Sequence, residues 1–148
     1  MIEVKIVNQS KFDIPQYADE GAAGFDLKAN IENPIILSPL ERVIIPTGLF
    51  FEIPKGNVGL ICPRSGLAAK HGITVTNSPG VIDESYRGEI KVILSNISND
   101  DYTIIPGERI AQMLITKYEK AVFVVMKSTE EFSNTERGTG GFGSTGKQ

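Results

Sequence analysis

Residues 89–95 read Glu89-Ile90-Lys91-Val92-Ile93-Leu94-Ser95, and this stretch decides the fold class. Ile90, Val92 and Leu94 form one apolar face, while Glu89, Lys91 and Ser95 point the other way. A period of two is the mark of a half-buried strand. Similar short, β-branched runs recur on both sides, broken by Pro, Gly and Asn. They cover Glu3–Val7, Ile35–Leu37, Arg42–Pro46, Leu49–Ile53, Val58–Cys62, Thr74–Thr76, Tyr102–Ile105, Ile110–Lys117 and Val122–Val125. Many short strands with frequent turn residues predict an all-β sandwich or barrel. One helix is predicted, over Gly66–His71, with Ser65 as its N-cap and Gly72 just past its end. No internal repeat or linker is evident.

The chain has 148 residues, with 41% apolar and 22% charged side chains. A domain of this size buries about 70% of the surface its unfolded chain exposes, so it needs no disulfide or structural metal to fold. The net charge is −3. With no long basic run, this argues against a direct nucleic-acid partner. It leaves a nucleotide substrate open, because a few placed arginines and a divalent cation can neutralise a triphosphate. Cys62 is the one cysteine, which excludes an intrachain disulfide. His71 is the one histidine, which excludes a two-histidine metal motif; a structural role is expected for it. Residues Met1–Ser10 carry no apolar secretion signal, and no run approaches the roughly 20 apolar residues of a membrane span. The expectation is a soluble, cytoplasmic or otherwise intracellular protein without a membrane partner.

From Ser128 the chain turns polar and then glycine-dense, through Arg137, Gly138, Thr139, Gly140, Gly141, Phe142, Gly143, Ser144, Thr145 and Gly146. Such a segment buries too little apolar area to offset its ordering entropy. The division expected is a β domain over 1–127 and a flexible arm over 128–148, ordered by a ligand or partner. An arginine, a lone aromatic and three hydroxyls among glycines suit a phosphate clamp better than a frayed end.

Four further clusters could carry chemistry. Pro63, Arg64, Ser65 and Gly66 lead into the short helix, whose first N–H groups and neighbouring guanidinium form a candidate anion site; an ordinary capped helix is the plain alternative. Gly80, Val81, Ile82, Asp83, Glu84, Ser85, Tyr86, Arg87 and Gly88 read as a polar hairpin turn. A carboxylate at the lip of a pocket there could also take a proton from water. Gln112 interrupts an apolar strand and needs partners; its amide could orient a water or a phosphate oxygen. Asp26, in Ala23–Ala29, is by itself one acid in a strand.

Taken in order, these segments resemble the five motifs of the trimeric dUTPase family: AGFDLKA at 23–29, PRSGLAAKHGI at 63–73, GVIDESYRGEI at 80–90 with Asn77 before it, RIAQML at 109–114 and RGTGGFGSTG at 137–146. The resemblance covers nearly the whole chain. It implies a β jelly roll, a homotrimer with inter-subunit active sites, and hydrolysis of dUTP to dUMP and pyrophosphate. That activity keeps uracil out of DNA and supplies dUMP for dTMP synthesis. It further implies Asp83 as the base that activates water toward the α-phosphorus and Tyr86 packed under the deoxyribose. Asn77, the backbone of Gly80, Val81 and Ile82, and groups near Lys91 would read the uracil. Arg64, Ser65 and Gly66 would hold the phosphates, with Ser65 near the scissile bridge and Gln112 on an α-phosphate oxygen or the water. Arg137 would meet the γ-phosphate, Phe142 would stack on the uracil, and Gly143, Ser144 and Thr145 would add donors. The implied cofactor is Mg²⁺, held mainly by the triphosphate and waters, with Asp26 in its outer sphere only.

Two other readings share the fold. A dCTP deaminase, alone or bifunctional, needs a proton shuttle at the cytosine ring, whereas Asp83, Tyr86 and Arg87 and the full fifth motif resemble a dedicated dUTPase. A non-catalytic dUTP-sensing protein would not need Asp83.

Overall fold

The computed structural model describes residues 1–141. Ten strands and one α-helix follow in chain order: β1 Lys5–Asn8, β2 Phe25–Lys28, β3 Ile35–Leu37, β4 Arg42–Glu52, β5 Asn57–Cys62, α1 Ser65–His71, β6 Ile73–Val75, β7 Gly80–Ile82, β8 Glu89–Asn96, β9 Tyr102–Ile104 and β10 Arg109–Lys117. Two four-stranded sheets, β1-β4-β8-β6 and β2-β10-β5-β7, and the two-stranded β3-β9 pair build a jelly-roll-like sandwich. Every pairing among these strands is antiparallel. No helix of the described chain is long and apolar enough to cross a membrane.

The alternation in β8 lands as predicted. Ile90, Val92 and Leu94 are buried and meet Leu27, Leu37, Ile45, Ile73, Ile104, Ile110 and Met113 in the core. Asn96 continues the buried face with its amide satisfied, donating to the carbonyls of Leu37 and Asp100 at 2.8 Å each.

Apart from shifts of one or two residues at strand ends, four readings differ from the sequence. Arg42–Pro46 and Leu49–Ile53 belong to one long strand, β4, because the break at Thr47 and Gly48 is a bulge. Thr47 Oγ1 donates to the Ile90 carbonyl at 2.6 Å and accepts the Leu49 N–H at 3.2 Å, replacing ladder bonds inside the sheet. Ser65 is the first helical residue rather than the cap; Arg64, in extended conformation, precedes the helix without a side-chain capping bond. Gly72 ends the helix as expected, at φ +65° with its N–H turned back onto the last turn. The supposed turn after Gly80 contains β7, too short and glycine-bearing to show a period. Val122–Val125, read as a strand, pairs with nothing among the described residues and stands exposed, since a β-rich run becomes a strand only where an edge accepts it.

Candidate active site

The central position of β10 creates the first half of the site. Gln112 lies opposite Asp26 on one side and Cys62 on the other. Residues directly opposite in a sheet project to the same face, so Asp26, Gln112 and the end of β5 meet in one row. Their backs are sealed by buried Ala111 and Met113. Two residues past Cys62, Arg64 turns its Nε onto Asp26 Oδ1 at 2.9 Å and its Nη1 onto the Arg109 carbonyl at 2.9 Å. Arg109 Nη1 meets the other oxygen of Asp26 at 3.2 Å. Gln112 Nε2 donates to the Pro63 carbonyl at 2.9 Å, fixing the turn into α1.

Two guanidiniums around one carboxylate leave a net positive charge. Arg64 is aimed by two fixed bonds and still has N–H groups to give. Beside it, Ser65 and Gly66 are exposed at the helix start. The first intrahelical bond, from Ala68 N–H to the Arg64 carbonyl at 3.0 Å, leaves the earlier amides without helix partners. Free N–H donors beside a net positive charge are the chemistry that an oxyanion calls for.

The loop that carries the chain from β7 in one sheet to β8 in the other forms the second half. It is closed by the Tyr86 N–H on the Asp83 carbonyl at 3.0 Å. Arg87 Nη1 staples it further, donating to the carbonyls of Glu84 and Tyr86 at 2.7 and 2.8 Å. The Glu84 carboxylate accepts the Gly56 N–H, and this bond holds its pKa below the usual carboxylate range. Tyr86 lies over Gly88, where an added Cβ would collide with the phenol ring. Its hydroxyl donates to the Glu89 carbonyl at 3.1 Å.

This loop borders a cleft of about 330 Å³ lined by Ile44, Val81, Ile82, Asp83, Tyr86, Glu89, Lys91 and Ile93. This is within the size of small-molecule sites, and an apolar floor with a few polar groups at the rim is their usual character. Val81, Ile82, Asp83, Tyr86 and Lys91 from the sequence reading are thus brought together. Asn77 sits at the far end of β7, with its amide against Gly80.

The two halves stay apart within one chain. Ile82 pairs with Gly59, and Arg64 lies five residues further along the chain. At roughly 3.3 Å per residue this puts Asp83 on the order of 15–20 Å from Arg64. The arm is also apart: residues 119–139 are exposed throughout, and Arg137 Nε bonds the Gly140 carbonyl at 2.7 Å within its own turn. Phe142, Gly143, Ser144 and Thr145 lie outside the described residues. Sequence reasoning missed Arg109 and Glu89. The β8 alternation could have found Glu89, since it places that residue on one face with Lys91; Arg109 carried no such signal.

As to a metal, no group of three or more His, Cys, Asp or Glu side chains among the described residues could hold one. The acid between Arg64 and Arg109, Asp26, has both oxygens on guanidiniums. This donor set fits a cation that brings its own ligands and meets the protein through water.

Comparison with known proteins places these observations. The family model described as dUTPase matches residues 10–146. The deoxyuridine 5'-triphosphate nucleotidohydrolase of Cytophaga hutchinsonii is 57% identical over 97% of this chain and 92% of its own length. That of Fusobacterium nucleatum is 50% identical over 99% of this chain and 98% of its own. Among solved structures, the dUTPase of Staphylococcus bacteriophage 80alpha with dUPNHPP is 26% identical, covers 99% of both chains and superposes with a TM-score of 0.86. The dUTPase of phage phi11 of S. aureus, 21% identical with a TM-score of 0.76 over 87% of this chain and 99% of its own, shares the fold; its structure is described as revealing the coordination of a structural Mg(II) ion.

Proposed function

The chain belongs to the dUTPase family and is a dUTP diphosphatase, and from that premise we propose that Asp83 activates water for attack on the α-phosphorus at a site assembled from several chains. The observation that carries this reading is the separation of the two half-sites along β5. Reacting atoms must approach within about 3–3.5 Å, yet within one chain Asp83 and the phosphate row of Arg64, Ser65 and Gly66 are several times further apart. A second copy supplies the missing half. The exposed run Val122, Phe123, Val124 and Val125 supports assembly, because an apolar strand-forming segment without a partner favours burial between chains. The assembly is a homotrimer in which the arm of one chain closes a site built by the other two.

In that site the cleft takes the deoxyuridine. Asn77 and the backbone of Gly80–Ile82 read the uracil edge, together with groups near Lys91. Tyr86, held over Gly88, fills the space a 2′-hydroxyl would need. Asp83 takes a proton from the attacking water, and bond formation to the α-phosphorus expels pyrophosphate. Arg64, Ser65 and the first amides of α1 carry the developing oxygen charge; such preorganised donors are the main source of rate in this chemistry. Gln112 keeps one amide proton and its carbonyl free of the Pro63 bond, for an α-phosphate oxygen or the water. Arg137 meets the γ-phosphate, Gly143, Ser144 and Thr145 add donors, and Phe142 stacks on the uracil, a contact worth about 1–3 kcal/mol. Mg²⁺ is the cofactor of this reading: bound through the triphosphate and water, it neutralises phosphate charge. Asp26 would reach it only through water.

The test is pyrophosphate release with Mg²⁺ from dUTP, dCTP, dTTP and UTP. Rapid release from dUTP alone is expected. Asp83→Asn should retain nucleotide binding and lose about 10²–10⁴-fold in turnover. Near-normal turnover in that variant would remove Asp83 as the base, and ammonia release from dCTP would replace the reading with a deaminase.

A further inference from the structure

Glu89 lines the nucleoside cleft and carries no role in the reading above. It is the first residue of β8 after the loop from β7, opposite Phe50 and next to the bulge in β4. The bulge turns Gly48 to φ +69° and takes its N–H out of the β4–β8 ladder. Glu89 Oε1 accepts that N–H at 2.9 Å, and Oε2 stands 3.6 Å from Lys91 Nζ. The Glu89 carboxylate is largely covered, with 22% of its side chain exposed. Its backbone carbonyl receives the Tyr86 hydroxyl. One residue therefore ties β4, through its carboxylate, to the tyrosine over the cleft, through its carbonyl.

We infer that Glu89 is a positioning residue for sugar selection: by clamping the Gly48 bulge to the end of the β7–β8 loop, it sets the height of Tyr86 over the cleft. This rests on the proposal that Tyr86 rejects the 2′-hydroxyl. The physical step is short. Without the carboxylate, the Gly48 N–H and the Lys91 ammonium lose their partner, and an unpaired, partly buried donor is costly enough to move backbone. The carbonyl that anchors Tyr86 moves with it, and the cleft widens where a ribose needs room.

The experiment compares kcat/KM for dUTP and UTP across a small set of variants of the full-length protein, with circular dichroism to verify folding. Glu89→Ala should lower the dUTP/UTP preference about 10-fold, the scale set by sub-ångström to ångström misplacement of a positioning group. Glu89→Gln keeps an oxygen for the Gly48 N–H and should stay close to wild type. Glu89→Asp, one methylene too short, should fall with Glu89→Ala and gives the same test if the alanine variant folds poorly. In a Tyr86→Ala background, Glu89→Ala should have no further effect on the ratio, because neighbours that act through one another are non-additive. If Tyr86→Ala alone leaves the ratio unchanged, tyrosine-based sugar selection fails, and this inference with it. If Tyr86→Ala lowers the ratio but Glu89→Ala slows dUTP and UTP equally, Glu89 is only structural and the inference is overturned. An equal fall in both backgrounds would also overturn it, showing that Glu89 acts on the sugar without Tyr86.

Discussion

Tyr102 stands between the end of α1 and the start of β10, with its ring against His71 at a centroid distance of 5.0 Å and its hydroxyl on the Glu108 carboxylate. Burial, and then the bond to Glu108 and its charge, raise the phenol pKa well above the usual tyrosine range. A raised folded-state pKa favours the neutral form in the native protein. Its stabilisation is whole below the unfolded pKa near 10 and is lost as pH rises beyond it. Tyr102→Phe should therefore cost about 1 kcal/mol at pH 7 through the lost hydrogen bond, and the deficit should shrink above pH 10. Urea unfolding at pH 7, 9, 10.5 and 11.5 measures this; a deficit constant across the series would rule out the linkage. His71, for which the sequence suggested a structural role, is exposed and rests its ring on Tyr102. Asp26 was less legible: a lone acid in a strand gives no sign that two arginines, 38 and 83 residues away, converge on it.

At the scale of elements, the turn from Ser38 to Glu41 joins β3 to β4 with Leu40 at φ +65° and 84% exposed. The turn is held by the Leu40 N–H on the Asn96 carbonyl at 2.8 Å and the Ser38 N–H on the Glu41 carboxylate at 3.1 Å. A branched side chain in the left-handed region costs about 1–2 kcal/mol, and this one gains no burial in return. Leu40→Gly and Leu40→Asn should both raise stability by roughly 0.5–1 kcal/mol, after allowance for the greater freedom of the unfolded chain. A lower denaturation midpoint for both would show that the leucine has a partner. Strands were the most readable elements where alternation ran for several residues, as in β8. They were least readable where tertiary context intervened. Thr47 and Gly48 look like an end but form a bulge, because a hydroxyl can stand in for a ladder bond. Gly80–Ile82 looks like a turn but pairs with β5, because a neighbouring edge accepts three residues.

Across the whole molecule, the proposed site draws on separated halves and an exposed arm, so the proposal makes activity a property of an assembly. Deleting residues 137–148 should leave the proposed trimer intact by sedimentation and the circular dichroism unchanged. It should reduce dUTP turnover by at least about 10–100-fold, the value of a lost base stack and its adjoining phosphate contacts. Full activity in the truncated protein would sink the closing role of the arm. The sequence by itself determined the all-β class, through the period-two pattern and turn residues, and the residue types of the five motifs, because those are local properties of the chain. Only the tertiary structure decided which residues meet. Sheet order puts Asp26, Gln112 and Arg64 in one row and sends Asp83 to the opposite end of β5, because antiparallel pairing turns sequence neighbours away from each other and brings distant segments side by side.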